Sequence, residues 1–504
     1  MTYLVDRAAF RNDGQVGCRC FAKGDAAPTF CVGGKVMVWL CVALLLVVPE
    51  DKQKTDKQKE AEKKTRIKRL IKRLEVDDYL VRMATLNALF ECNDKSVLEP
   101  VRHLFAATKD TDQKFWCACI MLKLGDKSVK KFLLDAFLSE NERERYHAAA
   151  AFGRAKFADK TVRARIEELF RNDPVPYVKT AAAYALCAIG DKRGEKFLLD
   201  KLKDADWLAR DMTAVLCGWL KLKPAYKILK KLWQQIKDED KKLAVCFAWG
   251  MAKFGDKEAM RYLVEEGSEG LTGQMAICEL GAPMVPLLLG VLQNQKKPAS
   301  ARRNAAALLG LVGEEAALKP LKKALSDKVT SVACAAARAL AYTMHKDAVK
   351  PLTAVASNAG ANIVLRRAAV AALAIIRHPN TVPALRSILL GESVKQKGAV
   401  ARRLRDNAAA TLAKIPHPAA EKALADFLSS KKPPQRLLRA TLFYIRKNKR
   451  KSKTLLTAIL KLLSSEDDKV KKDAADTLKK LTNLDAGDNP NKWRQLLKKH
   501  NLLH

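Results

Sequence analysis

The sequence predicts an all-α protein, a right-handed α-solenoid of about 13 two-helix repeats, and three observations carry that prediction. First, a ten-residue pattern recurs, as VKTAAAYALC at 178–187, VACAAARALA at 332–341, LRRAAVAALA at 365–374 and VKKDAADTLK at 470–479. Its ninth position falls at Leu89, Leu122, Phe152, Leu186, Leu216, Trp249, Leu280, Leu309, Leu340, Leu373, Leu412, Tyr444 and Leu478, with gaps of 29 to 39 residues. Second, each unit holds two apolar-periodic segments. Leu318, Leu321 and Leu325 follow helical spacing, Asp327 and Lys328 interrupt it, and Val332, Ala336, Ala339 and Leu340 then share one face. Third, no stretch sustains β alternation, while Pro174, Pro224, Pro320, Pro351 and Pro383 stand at or near helix starts, where a missing N–H costs little. Alanine dominates each second segment, so neighbouring helices can approach to near the short end of the ~8–10 Å packing range.

Residues 1–36 show no periodicity, and Met37 stands directly at the start of an apolar run, so 1–36 reads as a candidate extension upstream of the true start. The run VMVWLCVALLLVV at 36–48 ends at Pro49. It is shorter than the ~20 residues of a spanning helix and has the length of a secretory signal core, though no A-x-A-like cleavage site follows. Segment 37–49 is therefore expected to be a signal or anchor, making the protein exported or membrane-attached, with a cytoplasmic protein as the alternative. Residues 50–75 hold eleven basic and six acidic side chains and read as a charged linker leading into a first helix, whose stripe is Ile67, Leu70, Ile71 and Leu74. The solenoid is expected over 76–484 and a capping helix over 485–504, with Trp493 covering the last repeat. Two irregularities stand out. The glycines of EEGSEGLTG at 265–273 predict a hinge or a change of pitch, and GESVKQKGAVARR at 391–403 predicts a projecting loop.

The chain carries 93 Lys and Arg against 55 Asp and Glu, a formal net charge of +38, which favours polyanionic or acidic partners. Cys117, Cys119, Cys187, Cys217, Cys246, Cys278 and Cys334 fall among the small residues of the repeat and read as core substitutes for Ala. Cys18, Cys20, Cys31 and Cys41 complete no metal-ligand spacing, and the seven His are scattered, so no metal and no cofactor are expected. There is no phosphate-binding glycine loop, no dinucleotide fingerprint and no H-E-x-x-H. The carboxylate pairs Asp77/Asp78 and Asp467/Asp468 precede second helices and read as N-caps. Trp207, Asp211, Trp219, Trp233 and Trp249 cluster across neighbouring repeats. They read as core, because Trp249 takes the core Leu position and Trp233 continues an apolar stripe. No residue is a catalytic candidate.

The functional clue lies in the basic side chains that open the later second helices: Arg302, Arg303, Arg366, Arg367, Arg402, Arg403, Arg405, Arg436, Arg439, Lys471 and Lys472. Residues 431–504 alone hold 20 basic and 7 acidic side chains, and RKNKRKSK at 446–453 is six-eighths basic. A stripe of this kind can hold phosphates or carboxylates, or simply solvate a face.

The pattern V-R-x-x-A-A-x-A-L-G after an Asp resembles the HEAT repeat, in the short form named after phycobilisome lyases, over roughly residues 76–484. The resemblance implies a concave surface lined by second helices, and a ladder in which the basic residue at position two pairs with an Asp in the turn. Arg82, Arg145, Lys179, Lys242, Arg302, Arg366, Arg405 and Lys471 occupy that position, with Asp78, Asp173 and Asp468 as candidate partners; Phe115, Ala209, Gly273, Ala333 and Leu437 would break the ladder. Some HEAT-like proteins are lyases or DNA glycosylases, but the repeat type alone implies neither. The expectation is a monomeric, non-catalytic scaffold that binds a protein partner, an acidic one, on its concave surface. The alternatives are a nucleic-acid or other polyanion binder and a lyase-like or chaperone subunit. A stack of this length predicts a groove on the order of 100 Å long.

Overall fold

The computed structural model describes residues 56–203, 207–394 and 398–503, so the expectations for 1–36 and 37–49 lie outside the described residues. The chain divides into two units at Lys63, and residues 64–504 form the larger. Among the described residues every regular element is helical, and no single helix is long and apolar enough to cross a membrane.

Helix α1 (Asp56–Arg73) and α2 (Tyr79–Cys92) open the series, followed by the pairs α3 (Leu98–Ala107) and α4 (Thr111–Lys123), and α5 (Lys130–Ala136) and α6 (Glu142–Ala155). Next come α7 (Lys160–Asn172) and α8 (Pro176–Ala188), α9 (Lys192–Lys201) and α10 (Trp207–Leu220), and α11 (Lys223–Ile236) and α12 (Lys241–Ala252). The middle pairs are α13 (Lys257–Glu265) and α14 (Leu271–Leu280), α15 (Val285–Gln293) and α16 (Ala299–Val312), and α17 (Leu318–Ala324) and α18 (Thr330–Tyr342). The series ends with α19 (Val349–Ser357) and α20 (Ile363–Ile376), α21 (Val382–Leu390) and α22 (Gly398–Lys414), α23 (Pro418–Leu428) and α24 (Gln435–Lys447), and α25 (Lys453–Lys461) and α26 (Asp468–Thr482), before a last helix, α27 (Pro490–Lys499). Even-numbered helices are the inner layer and carry the recurrent pattern.

Carboxylates start many of these helices: Asp78, Asp110, Asp159 and Asp240 each accept a backbone N–H three residues on, and Asp467 caps α26. Each such cap contributes ~1 kcal/mol. At the recurrent ninth position Leu89, Phe152, Leu186, Leu216, Leu309, Leu340, Leu373, Leu412 and Leu478 are wholly buried. Every buried Leu contributes ~1.5–3 kcal/mol, so the repeated pattern is the repeated core. Trp493 is also wholly buried, and its indole N–H donates to Gly487 O at 2.7 Å, as a terminal cap requires.

The inner helices α2, α4, α6, α8, α10, α12 and α14 each pack on the next, and α14 packs back on α2. The first seven inner helices thus close into a ring, and the continuous open groove expected from the repeat count does not form there. The curvature follows from side-chain size. On the inside, Gly218 and Gly250 face each other so closely that a Cβ on Gly218 would lie 2.7 Å from the Gly250 Cα. On the outside, Phe105–Phe132, Phe170–Phe197 and Trp233–Tyr262, at 5.2, 5.2 and 5.3 Å between ring centroids, hold consecutive outer helices apart. Wide outer spacers and narrow inner contacts make each repeat a wedge.

The seam of the ring is where the sequence predicted a hinge. Gly273 sits against Gly267, with a hypothetical Cβ 2.1 Å from the Gly267 carbonyl oxygen, so these glycines make a tight corner between α13 and α14. Helix α2 packs on both α14 and α16 at this point, and α1 lies beside the end of α16. Arg73, wholly buried, donates to the carbonyls of Gly310, Leu311 and Val312, the C-terminal end of α16, at 3.4, 2.5 and 3.2 Å. A cation on the unpaired carbonyls of a helix end is favourable both as hydrogen bond and against the helix dipole. Gly313 there has φ +74°, and a Cβ would overlap the Arg73 guanidinium. Arg66–Glu314 (2.6 Å) and Arg69–Glu315 (3.1 Å) extend the clasp, and Tyr342 donates to Asp78 at 2.9 Å. The end of the expected charged linker is therefore a structural clasp.

Beyond the seam, α16, α18, α20, α22, α24 and α26 continue as a stack whose outer helices from α19 onward also pack on one another. The loop expected over 391–403 is shorter than that, because α22 begins at Gly398; residues 391–394 are non-helical and 395–397 lie outside the described residues.

Candidate functional site

Two features qualify: a cavity inside the ring and the basic inner face of the stack. The cavity has a volume of about 470 Å³ and is lined by side chains one to two turns apart on α2, α4, α6, α10, α12 and α14. Its walls are apolar and aromatic: Met83, Phe115, Trp116, Cys119, Tyr146, Met212, Val215, Trp219, Cys246, Trp249, Leu271, Met275 and Cys278. The volume lies within the ~300–1,000 Å³ range of small-molecule sites, and three thioethers give the walls adaptable packing. Burial pushes the thiols of Cys119, Cys246 and Cys278 up to about 12, which leaves them protonated and weakly nucleophilic.

Polar groups gather at the floor and the rim. At the floor the Arg154 guanidinium lies between two indoles, 4.2 Å from the Trp116 centroid and 4.0 Å from that of Trp219. Cation–π attraction of ~1–2 kcal/mol per face is expected in so dry a setting. Glu279 accepts from the Trp219 indole at 2.5 Å and pairs with Lys253 at 2.6 Å and Arg154 at 3.5 Å. Asn87 donates to the Glu279 carbonyl at 3.0 Å and accepts from Arg154 at 3.4 Å. This network ties α2, α4, α6, α10 and α14 together across the ring. At the rim Asp112 accepts from His147 at 3.0 Å and from Tyr79 at 3.1 Å, with Arg143 at 3.5 Å. The His147 hydrogen bond, with those partners, holds the Asp112 carboxyl below its ordinary range.

The tryptophan cluster is thus only partly core, which corrects the sequence reading. Asp211, Trp219 and Trp249 line the cavity, whereas Trp233 is buried on α11, facing away from it; the Trp207 side chain lies outside the described residues. The signal that could have separated them was position within the repeat. Trp219 and Trp249 stand on inner helices and Trp233 on an outer one.

The structure splits the basic stripe in two. Arg302, wholly inside, pairs with Asp327 of the next turn. Arg366 donates to Ala356 O and Ser393 O at 3.0 and 2.9 Å, and Arg405 to Leu389 O and Leu390 O at 2.8 and 3.4 Å. With Arg145 on Asp173 at 2.7 Å and Lys179 on Arg171 O at 3.1 Å, these position-two cations cap the ends of outer helices or reach the neighbouring turn. A carboxylate is only one of their partners, so the ladder does not depend on Asp in every repeat. Asp78 does not pair with Arg82, which instead meets Asp77 at 3.1 Å. Arg303, Arg402, Arg403, Arg436 and Lys472 are exposed and Arg367 half-buried, and none of the six forms an ion pair with a described carboxylate. Arg439 meets Asp473 at 2.5 Å and Lys471 meets Asp468 at 2.9 Å. Missed from the sequence was Phe443, 48% exposed on α24. It lines a cleft of about 840 Å³ with Arg446, Lys447, Lys449, Lys479 and Lys480 and with Asp476 and Asp485, the last paired with Lys479 at 2.5 Å.

A family model for HEAT repeats matches residues 162–245 and 324–402, so the chain carries HEAT repeats in both the ring and the stack. No curated protein is similar enough to count as a relative. Among solved structures, human deoxyhypusine hydroxylase is 19% identical, with 60% of this chain and 96% of that one covered and a TM-score of 0.24. The CpcE–CpcF complex of phycocyanin lyase from Nostoc sp. PCC7120 is 18% identical over 54% of this chain and 94% of that one, with a TM-score of 0.25. Importin beta is 12% identical over 87% and 73%, with a TM-score of 0.38. Likeness at this level says nothing of activity.

Proposed function

We propose that the protein is a non-catalytic binding scaffold whose inner face, from α16 to α26, takes an acidic segment of a protein partner. The observation that carries this is the set of exposed cations without an ion pair to a described carboxylate that open α16, α22, α24 and α26 (Arg303, Arg402, Arg403, Arg436 and Lys472), together with the exposed ring of Phe443 on α24. Their scaffold-bound neighbours already hold the repeat together, so these are free to meet a ligand. Carboxylates would supply the charge, and the exposed aromatic ring an apolar anchor of the kind that dominates interface energetics. The exported or membrane-attached location read from segment 37–49 belongs to the same proposal, because it would remove nucleic acid from the available partners. Intact mass of the protein from its own cells tests that part.

The binding test compares an acidic, aromatic-containing peptide with single-stranded DNA of equal charge, by fluorescence anisotropy at 50 and 200 mM salt. The expected result is a peptide affinity that falls modestly with salt and drops at least tenfold in the triple variant Arg403→Glu, Arg436→Glu, Lys472→Glu. Tighter DNA binding that collapses by orders of magnitude over the same salt range would make the face a nucleic-acid groove instead.

A further inference from the structure

We propose that the cavity enclosed by the ring binds an uncharged, largely apolar small molecule that carries a hydrogen-bond acceptor, independently of the basic face of the stack. The argument begins with charge. Six ionised side chains line the cavity, three acids (Asp112, Asp211, Glu279) and three bases (Arg143, Arg154, Lys242). Their formal charges cancel. Glu279 and Arg154 are paired at the floor, and Asp112 is held by His147 and Arg143 at the rim. A charged ligand entering this space would lose its hydration and find no net countercharge among the lining residues, a transfer that is unfavourable in a dry interior. On a protein of formal net charge +38 that neutrality is a local property of the cavity lining.

Wall chemistry points the same way. Three indoles, a phenyl ring and three thioethers offer dispersion and aromatic contact to a flat or alicyclic body, in a volume suited to one small molecule. Two donors in the wall, the Arg154 Nη1 and the Trp249 indole N–H, are buried without a hydrogen-bond acceptor; the Arg154 charge is already met by Glu279, which leaves the indole as the uncharged donor. The Trp249 indole N–H is buried with nothing accepting from it, although the residue is 8% exposed and faces the cavity. A buried N–H without an acceptor costs ~1–3 kcal/mol, and a carbonyl or ether oxygen on the ligand would recover part of that after a small indole shift. Burial of the donor and neutrality of the lining together select an uncharged acceptor over a carboxylate.

The test uses the intact protein and 6-propionyl-2-dimethylaminonaphthalene, an uncharged aromatic ketone whose emission shifts blue in apolar surroundings. The expected result is saturable one-to-one binding that is unchanged between 50 and 500 mM salt. Affinity should fall at least tenfold in Ala150→Phe, which fills the cavity, and stay unchanged in Arg403→Glu with Arg436→Glu. Trp249→Phe should weaken the ketone several-fold and leave 2-dimethylaminonaphthalene, which lacks the carbonyl, unaffected. Should Ala150→Phe fail to fold, the wild-type protein still decides the matter. Bound ketone should slow amide hydrogen exchange in α4, α6, α10 and α12, whose side chains line the cavity, and leave exchange in α20 to α26 as before. Tighter, salt-sensitive binding of oleate than of the ketone would overturn the uncharged class. Ketone binding that survives Ala150→Phe, or that slows exchange in none of the helices lining the cavity, would overturn the site.

Discussion

In the ring, outer helices are separated by aromatic side chains while inner helices meet through Gly and Ala. In the stack, α19, α21 and α25 contain no aromatic residue, and these short aliphatic outer helices pack against their neighbours as the inner ones do. The same repeat therefore gives a closed ring from residues 79–280 and an open run afterwards. Curvature is decided by the difference in side-chain bulk between the two faces of each repeat. Closure leaves an apolar, charge-balanced cavity in the ring, while the open stack carries exposed cations without an ion pair to a described carboxylate, and the two binding roles proposed above rest on that difference.

The strongest way to break this contrast is Glu279→Gln. Removing the carboxylate leaves Arg154 and Lys253 without their shared counter-ion, which should cost the ring about 3–5 kcal/mol. Urea unfolding followed by tryptophan fluorescence should show it, because Trp116, Trp219, Trp233 and Trp249 all report on the ring. Hydrogen exchange in α20 to α26 should be unchanged. A uniform loss along the chain would mean that ring and stack unfold as one.

Smaller effects sharpen the comparison. Gly218→Ala should cost about 1–3 kcal/mol by forcing inner helices apart. Conversely, Phe170→Leu with Phe197→Leu should let outer helices close, relax the curvature and raise the radius of gyration seen by small-angle scattering. Arg73→Met strands three carbonyls at the end of α16 and should cost about 1–3 kcal/mol. Its signature is faster exchange confined to α1, α2 and the α16 terminus. The least effect is expected from acid. Asp191, held at about 2 by the hydrogen bond from Arg193, and Asp112, Asp126, Asp159, Glu167 and Asp256, all held below their ordinary values, lie in the ring half. A depressed carboxyl stabilises above its unfolded pKa of about 4, and that contribution is lost as pH falls through the folded value. In the stack the lowered carboxyls, Asp468 and Asp485, are on the surface. Between pH ~4 and ~2 the ring should therefore soften first, measured as the urea midpoint of the tryptophan signal.

Much of the fold was legible because one residue position repeats one job. The buried leucines at the ninth position, the Asp caps and the terminal Trp493 all act through contacts a few residues away or with the next repeat. The site was less legible for the opposite reason. Trp219 and Glu279 meet across 60 residues, and Arg66 and Glu314 across 248. Nothing in a local window says that α2 returns to α14. The basic stripe reads as uniform in sequence, yet Arg302 and Arg303 differ by one residue and point to the interior and to solvent.

By itself, the sequence determined the helical repeat, its core register, its caps and the excess of positive charge, since these depend on periodicity and composition that every repeat displays. Tertiary structure alone decided where the solenoid closes, which arginines are absorbed into the scaffold and which tryptophans face a cavity. Those outcomes arise from small angular differences added over seven repeats, and a sum of that kind acquires meaning only when the ends meet.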